Sequence, residues 1–245
     1  MRLAVVSDIH GNLLALEAVL ADMARQSIDH CVNLGDLLSG GLQPRQTAEL
    51  LMDASMKTVA GNHERQILTL GLEQMGASDR LAVQEITPAQ REWLASLPST
   101  LVVTDGVLAC HGSPDDDLTY LLETVEPVGV RQATDSEVRQ RLGPHTGWSL
   151  VLCGHTHLPR ATRLPEGSLV VNPGSVGWPA FDDDKPYPHV MEAGTPHARY
   201  AVVDDVSGRW EVEFRSVVYD WESAALVAED KDRQDLARAL RTGRV

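Results

Sequence analysis

A chain of 245 residues, 43% hydrophobic and 23% charged, has enough apolar material for a sizeable buried core. Its net charge of −14, from 35 acidic against 21 basic residues, excludes a protein that grips duplex nucleic acid non-specifically, which needs a basic footprint. No apolar run approaches the length that spans a bilayer, and Ser7-Asp8 cuts the first run too short for a secretory core, so the expected location is cytoplasmic. The three cysteines, Cys31, Cys110 and Cys153, sit in or beside apolar runs and read as buried free thiols rather than a disulfide framework.

The chain opens with a buried strand over 2–7 and a helix over 13–26, whose apolar stripe is Leu13, Leu16, Val19, Leu20 and Met23. A strand over 30–34, a helix over 44–53 begun by Pro44, and a strand over 57–60 follow. This β-α-β-α-β order predicts parallel strands with crossover helices. Residues 64–97 read as largely helical, with Thr87-Pro88-Ala89-Gln90 as a cap. Asp105-Gly106 predicts a hairpin joining 101–103 to 107–110. Residues 118–142 read as helical and broken near Pro127, and 150–153 as another strand. Two more hairpins are expected, 161–164 with 169–171 and 200–203 with 210–218, before a single surface helix over 221–241. Half the strands come with helices and half as hairpins, which predicts one domain over 1–245: a two-sheet sandwich flanked by helices. Residues 178–197 carry Asp182, Asp183, Asp184 and four prolines; no helix or strand is expected there, and the segment reads as an acidic flap over a site.

Five segments stand where strands give way to loops: Asp8-Ile9-His10, Gly35-Asp36, Gly61-Asn62-His63-Glu64, His111-Gly112 and Gly154-His155-Thr156-His157. Ligands gather at the carboxyl ends of parallel strands. Asp8, His10, Asp36, Asn62, His111, His155 and His157 are too many for one ion and suit two that share a carboxylate. Such a pair activates a hydroxide and clamps the oxygens of an in-line displacement. Asp36 is the bridge candidate. Asp8 and His10 can reach the same ion from one turn, His155 and His157 one ion each, and Asn62 and His111 complete the second site. Oxygen and imidazole ligands suit manganese, taken as the leading choice, or iron, nickel or zinc, and not calcium. His63, next to Asn62, is left to protonate the leaving oxygen as the catalytic acid. Glu64 reads as an orienting group or a favourable charge at a helix start. His30, His145, His189 and His197 read as ordinary loop or strand residues, and Cys153 as core. Arg45, Arg65, Arg160 and Arg163 are only candidate phosphate clamps, since such a residue is more often plain surface charge.

In this order the five segments resemble the calcineurin-like metallophosphoesterase superfamily. With His111-Gly112-Ser113-Pro114 and Asn172-Pro173-Gly174-Ser175-Val176-Gly177 they are similar to its YfcE-like phosphodiesterase branch. The resemblance implies a four-layer α/β/β/α sandwich of two mixed sheets. It implies Asp8, His10, Asp36 and His157 at one metal, Asp36, Asn62, His111 and His155 at the other, and His63 as leaving-group acid. It also implies a metal-dependent phosphodiesterase or phosphatase acting on a small phosphorylated substrate. Leu37-Leu38-Ser39-Gly40 follows Asp36 without the arginine of the protein phosphatases, which turns the reading away from those activities. Two alternatives stay open, an inactive scaffold of the same fold and a dinuclear hydrolase of non-phosphate esters or amides.

Overall fold

Strand β1 (Arg2–Val6) is apolar on both faces, so it needs a packing partner on each side. In the computed structural model, which describes residues 1–245, Leu3 and Val5 enter one core and Ala4 and Val6 another. Helix α1 (Leu13–Met23), strand β2 (His30–Asn33), helix α2 (Pro44–Asp53) and strand β3 (Met56–Thr58) complete the predicted crossover run. β1, β2 and β3 pair in parallel. Helices α3 (Asn62–Thr69), α4 (Ala77–Glu85) and α5 (Pro88–Ser96) follow, the last begun by the expected Thr87–Gln90 capping box.

The Asp105-Gly106 hairpin joins β4 (Thr100–Thr104) to β5 (Val107–Cys110). A small hairpin of β6 (Glu123–Glu126) and β7 (Gly129–Gln132) precedes helix α6 (Asp135–Leu142). Then come β8 (Leu150–Leu152), β9 (Pro159–Arg163), β10 (Leu169–Pro173), the small hairpin β11 (Ala180–Asp183) and β12 (His189–Glu192), β13 (Ala198–Val206) and β14 (Arg209–Val217). Helices α7 (Trp221–Asp230) and α8 (Gln234–Thr242) close the chain.

Two five-stranded mixed sheets result, in the orders β14-β13-β1-β2-β3 and β4-β5-β8-β10-β9. Between them lies a core built from both, with Leu3, Val5, Val32, Leu34, Ala109, Leu150, Leu152 and Val171. The outer face of the first sheet packs Ala4, Val6 and Tyr200 against α1, α2, α7 and α8. The outer face of the second packs Leu108, Cys110, Val151 and Val170 against Leu121, Leu122 and α6. The order is helix, sheet, sheet, helix, the four layers the motif resemblance implied. The carboxyl ends of β1, β2, β3, β5, β8 and β10 share one edge of this sandwich.

Three segments differ from the sequence expectation. Residues 118–142 are not a broken helix: β-branched Thr124, Val125 and Val130 flank Pro127-Val128-Gly129 and pair as β6–β7, and Thr134 caps a helix only from Asp135. The 178–197 segment does hold strands, because Pro186 and Pro188 fall in the loop between β11 and β12 and leave four residues on each side free to pair. The tail is two helices, separated where Asp232 takes a positive φ of 58°. It lies partly inside, since Ala224, Ala225, Ala228, Leu236, Ala237 and Leu240 all enter the core. The cysteines are free; Cys110 and Cys153 are buried, Cys31 half-buried.

Candidate metal centre

Each of the five strand-end segments turns sharply just past its strand, and the turns bring their polar side chains together. Asp8, His10, Asp36, His155 and His157 are five of the seven non-glycine residues with positive φ, between 51° and 70°. A left-handed backbone costs an ordinary residue roughly 1 kcal/mol, and such strain collects where a site requires it. Neighbouring glycines leave the room. A Cβ on Gly61 would overlap the Asp36 carboxylate, and one on Gly154 would overlap the Ser7 hydroxyl and sit 3.1 Å from Asp8 Oδ2. Backbone hydrogen bonds tie the turns to each other: Asp8 N–H donates to Gly35 O at 3.0 Å, His10 N–H to Asp36 O at 3.0 Å, and Gly154 N–H to His111 O at 2.6 Å.

The Asn172–Gly177 turn buttresses the far side. The Asn172 amide donates to Gly154 O at 2.7 Å and Thr156 Oγ1 at 2.9 Å, and the Ser175 hydroxyl to Asp8 O at 2.8 Å. Glu64 does both things the sequence suggested. From the first turn of α3 its buried carboxylate accepts from Gly61 N at 2.8 Å, Asp36 N at 2.8 Å and Leu37 N at 2.9 Å, so it fixes the loop that presents Asp36. Burial and the nearby Asp36 charge raise its pKa, and those backbone donors oppose the rise.

The side chains assemble into two groups whose polar atoms lie within 4.8 Å of one another: Asp8, His10 and His157, and Asp36, His111 and His155. His10 Nδ1 donates to Ser39 O at 2.5 Å, His157 Nδ1 to Trp178 O at 2.6 Å, and His111 Nδ1 to Leu34 O at 2.7 Å. A carbonyl only accepts, so in each neutral ring the proton is on Nδ1 and Nε2 carries a lone pair. Those lone pairs converge on other acceptors. His10 Nε2 and His157 Nε2 are 3.1 Å apart, and His111 Nε2 is 3.1 Å from both Asp36 Oδ2 and Asn62 Oδ1. Asp8 Oδ1 is buried with no hydrogen-bond partner, 3.4 Å from His157 Nε2. Acceptors facing acceptors at buried positions call for cations, and the donor set fits two divalent ions.

The titration behaviour agrees. Burial and the neighbouring His157 hold His10 down at about 3, and burial and His111 hold His155 down at about 4, so both rings are neutral at pH 7. Burial also opposes a charged His111, but the Asp36 carboxylate, aided by Asp8, drives it up to about 10; without metal, a proton takes the place of the cation.

His63 stands apart from both groups. Its Nδ1 meets Asp79 Oδ1 at 2.7 Å, and its backbone N–H donates to Asp36 Oδ1 at 3.0 Å. Burial lowers its pKa, but Asp36, the Asp79 hydrogen bond and charge, and Glu64 carry it up to about 9. The Ser39 hydroxyl donates to the same Asp79 oxygen at 2.5 Å, while Ser39 O holds His10. Ser39 thus links the His63 ring, through Asp79, to the His10 ring, through its own carbonyl.

All of these side chains border or underlie one cavity of about 370 Å³ at the strand ends. Aromatic rings crowd its imidazoles: Trp178 lies 5.0 Å from His10, Phe181 4.6 Å from His157 and Tyr120 5.1 Å from His155, centroid to centroid. The arginines flagged in the sequence are spent elsewhere, Arg45 on Glu85 O, Arg65 on Asp117, Arg160 on Glu123 and Arg163 on Trp210 O and Gly167 O, and none lines this cavity. Asp79 and Arg233 were not anticipated. Asp79 sits within the stretch over 64–97 that reads as largely helical, and Arg233 in the charged run from Glu229 to Asp235, so neither carries a local signal.

A model of the calcineurin-like phosphoesterase superfamily domain matches residues 1–193. The chain belongs to this superfamily. An uncharacterized protein of Methanocaldococcus jannaschii is 28% identical over 240 residues, covering 91% of this chain and 89% of that one. A metallophosphoesterase from Sphaerobacter thermophilus shares the fold with a TM-score of 0.75 at 24% identity, over 99% of both chains. A hypothetical protein from Pyrococcus horikoshii OT3 does so with a TM-score of 0.78 at 20% identity, over 99% of this chain and 98% of that one. The calcineurin-like phosphoesterase fold therefore extends through β13, β14 and the helix pair α7–α8, past the matched segment. No helix is long and apolar enough to cross a membrane.

Proposed function

We propose that this chain is a dinuclear-metal-dependent phosphoesterase that hydrolyses a small phosphorylated substrate. Asp8, His10, Asp36 and His157 would hold one cation, and Asp36, Asn62, His111 and His155 the other, Asp36 serving both. The observation that carries this reading is the convergence of imidazole nitrogens on buried carboxylate and amide oxygens, with the rings of His10, His111 and His157 each locked by a main-chain carbonyl. The bound pair supplies an activated water and neutralises charge on the phosphoryl oxygens; manganese is the leading candidate, with iron, nickel or zinc permitted by the same ligands.

The protein's own side chains do the rest. Asp79 keeps the His63 proton on Nδ1 and steadies the ring, so that in the charged imidazole Nε2–H faces the cavity. That proton passes to the leaving oxygen as the P–O bond breaks. Trp178 and Phe181 close the cavity from the 178–197 segment, which acts as the flap, and the crowded rings keep water from the imidazoles.

The test is a panel assay of manganese-loaded protein against aryl phosphodiesters and monoesters, cyclic nucleotides, dinucleoside polyphosphates and, as a control class, amides. Turnover of at least one phosphoester is expected, abolished by chelation and restored by added metal. Inertness toward every phosphoester with manganese, iron, nickel and zinc alike would overturn the assignment.

A further inference from the structure

The cavity has one lysine or arginine on its wall, Arg233 from the turn between α7 and α8. This residue is only 9% exposed and is held from three directions. Its Nε and Nη2 donate to Asp235 Oδ1 and Oδ2 at 2.9 and 2.7 Å, and Nη1 donates to Ser78 Oγ at 2.6 Å. Its Cζ lies 5.4 Å from the Trp178 ring centroid. Three of the five guanidinium N–H groups are thereby spent, and one on each terminal nitrogen makes no bond within the chain. The ion pair to Asp235, two residues on, closes no loop and adds little to stability, whereas the Ser78 bond and the Trp178 contact fix the guanidinium at the cavity wall. A guanidinium fixed before ligand arrives is a ready oxyanion site.

Its position says which oxyanion. Ser78, which holds Arg233, precedes Asp79, which holds His63, and Arg233 and His63 both line this cavity, so the guanidinium shares it with the group proposed to protonate the leaving oxygen. Asp182, Asp183 and Asp235 also line the cavity from its exposed rim; the first two disfavour negative charge away from Arg233, and Asp235 is already engaged by the guanidinium. Arg233 lies outside the segment matched by the superfamily model, residues 1–193, as a specificity element added to shared chemistry would.

Building on the phosphoesterase reading, we infer that Arg233 binds the leaving group and selects substrates whose leaving group is itself anionic, a phosphoanhydride being the simplest class. Hydrolysis adds one water across the anhydride: its oxygen bonds to phosphorus, and the bridging oxygen departs with the electron pair of the P–O bond. That oxygen takes the His63 proton, and the departing phosphate gathers charge beside Arg233.

The experiment compares wild type, Arg233→Gln and Arg233→Lys, all manganese-loaded, on inorganic pyrophosphate and on a simple aryl phosphate. Arg233→Gln is expected to lower kcat/KM for pyrophosphate about 10–100-fold more than for the aryl phosphate, mainly through KM, with Arg233→Lys between. Calorimetric titration with pyrophosphate should show the same loss of affinity. Equal losses on both substrates, or a wild type that turns over only the aryl ester, overturn the inference. Should Arg233→Gln melt at lower temperature, Arg233→Lys decides, since it keeps the charge and loses the fork. A wild type that binds pyrophosphate through Arg233 but hydrolyses no phosphoester defeats the phosphoesterase reading and leaves the Arg233 assignment standing. Hydrolysis with unchanged pyrophosphate affinity in both variants does the reverse.

Discussion

Asp36→Asn is expected to abolish turnover of every phosphoester and to leave the protein unable to hold two cations. The substitution keeps size and shape but removes the carboxylate proposed to be shared by the two cations. It also puts amide N–H donors where His111 Nε2 now meets Asp36 Oδ2 at 3.1 Å. The loop is not expected to move, because Glu64 and not the Asp36 side chain holds its backbone. Activity should therefore fall beyond the ~10–100-fold that follows loss of a group merely supporting a ligand. Metal analysis of dialysed protein should show fewer than two ions per chain, with the melting temperature of the chelated form close to that of chelated wild type. A variant that keeps two ions and a tenth of the activity would remove Asp36 from its shared role.

His63→Ala should act differently. His63 belongs to neither ligand group, so two ions should still bind while kcat falls on the order of 10²–10⁴-fold, the usual weight of a positioned general acid. The loss should be greatest for alkyl esters, whose leaving oxygen needs a proton, and smallest for aryl esters of acidic phenols, which leave unaided. Asp79→Asn should show the same ordering with a smaller loss, because it loosens the ring without removing it. Steady-state rates across leaving groups of graded acidity check both variants. A uniform loss across the series would make His63 a binding residue instead of an acid.

The candidate metal centre was legible because each of its pieces is local. Asp8-Ile9-His10 and His155-Thr156-His157 each place two candidate ligands on one turn, and each follows an apolar strand that the sequence marks clearly. The crossover order of the first half and the Asp105-Gly106 hairpin were legible for the same reason, since periodicity and turn chemistry are short-range signals. What escaped depends on distant contacts. Asp79 looks like any acidic residue in a helical stretch until the fold sets it 2.7 Å from His63, 16 residues earlier. Arg233 looks like one charge among many until the α7–α8 turn brings it to Trp178 and Ser78. The β6–β7 hairpin was hidden by flanking charges such as Glu123 and Arg131 that suit a helix equally well. Here β-branched pairing around Gly129, a tertiary choice, overrode local preference. The flap prolines misled in the opposite sense, because they occupy the loop and not the strands of β11–β12.

Anomalous diffraction from crystals of the manganese-loaded protein tests the central claim most directly. The account predicts two peaks per chain, one contacted by Asp8, His10 and His157, the other by Asn62, His111 and His155, with Asp36 touching both. A single peak, or two that do not share Asp36, would contradict it.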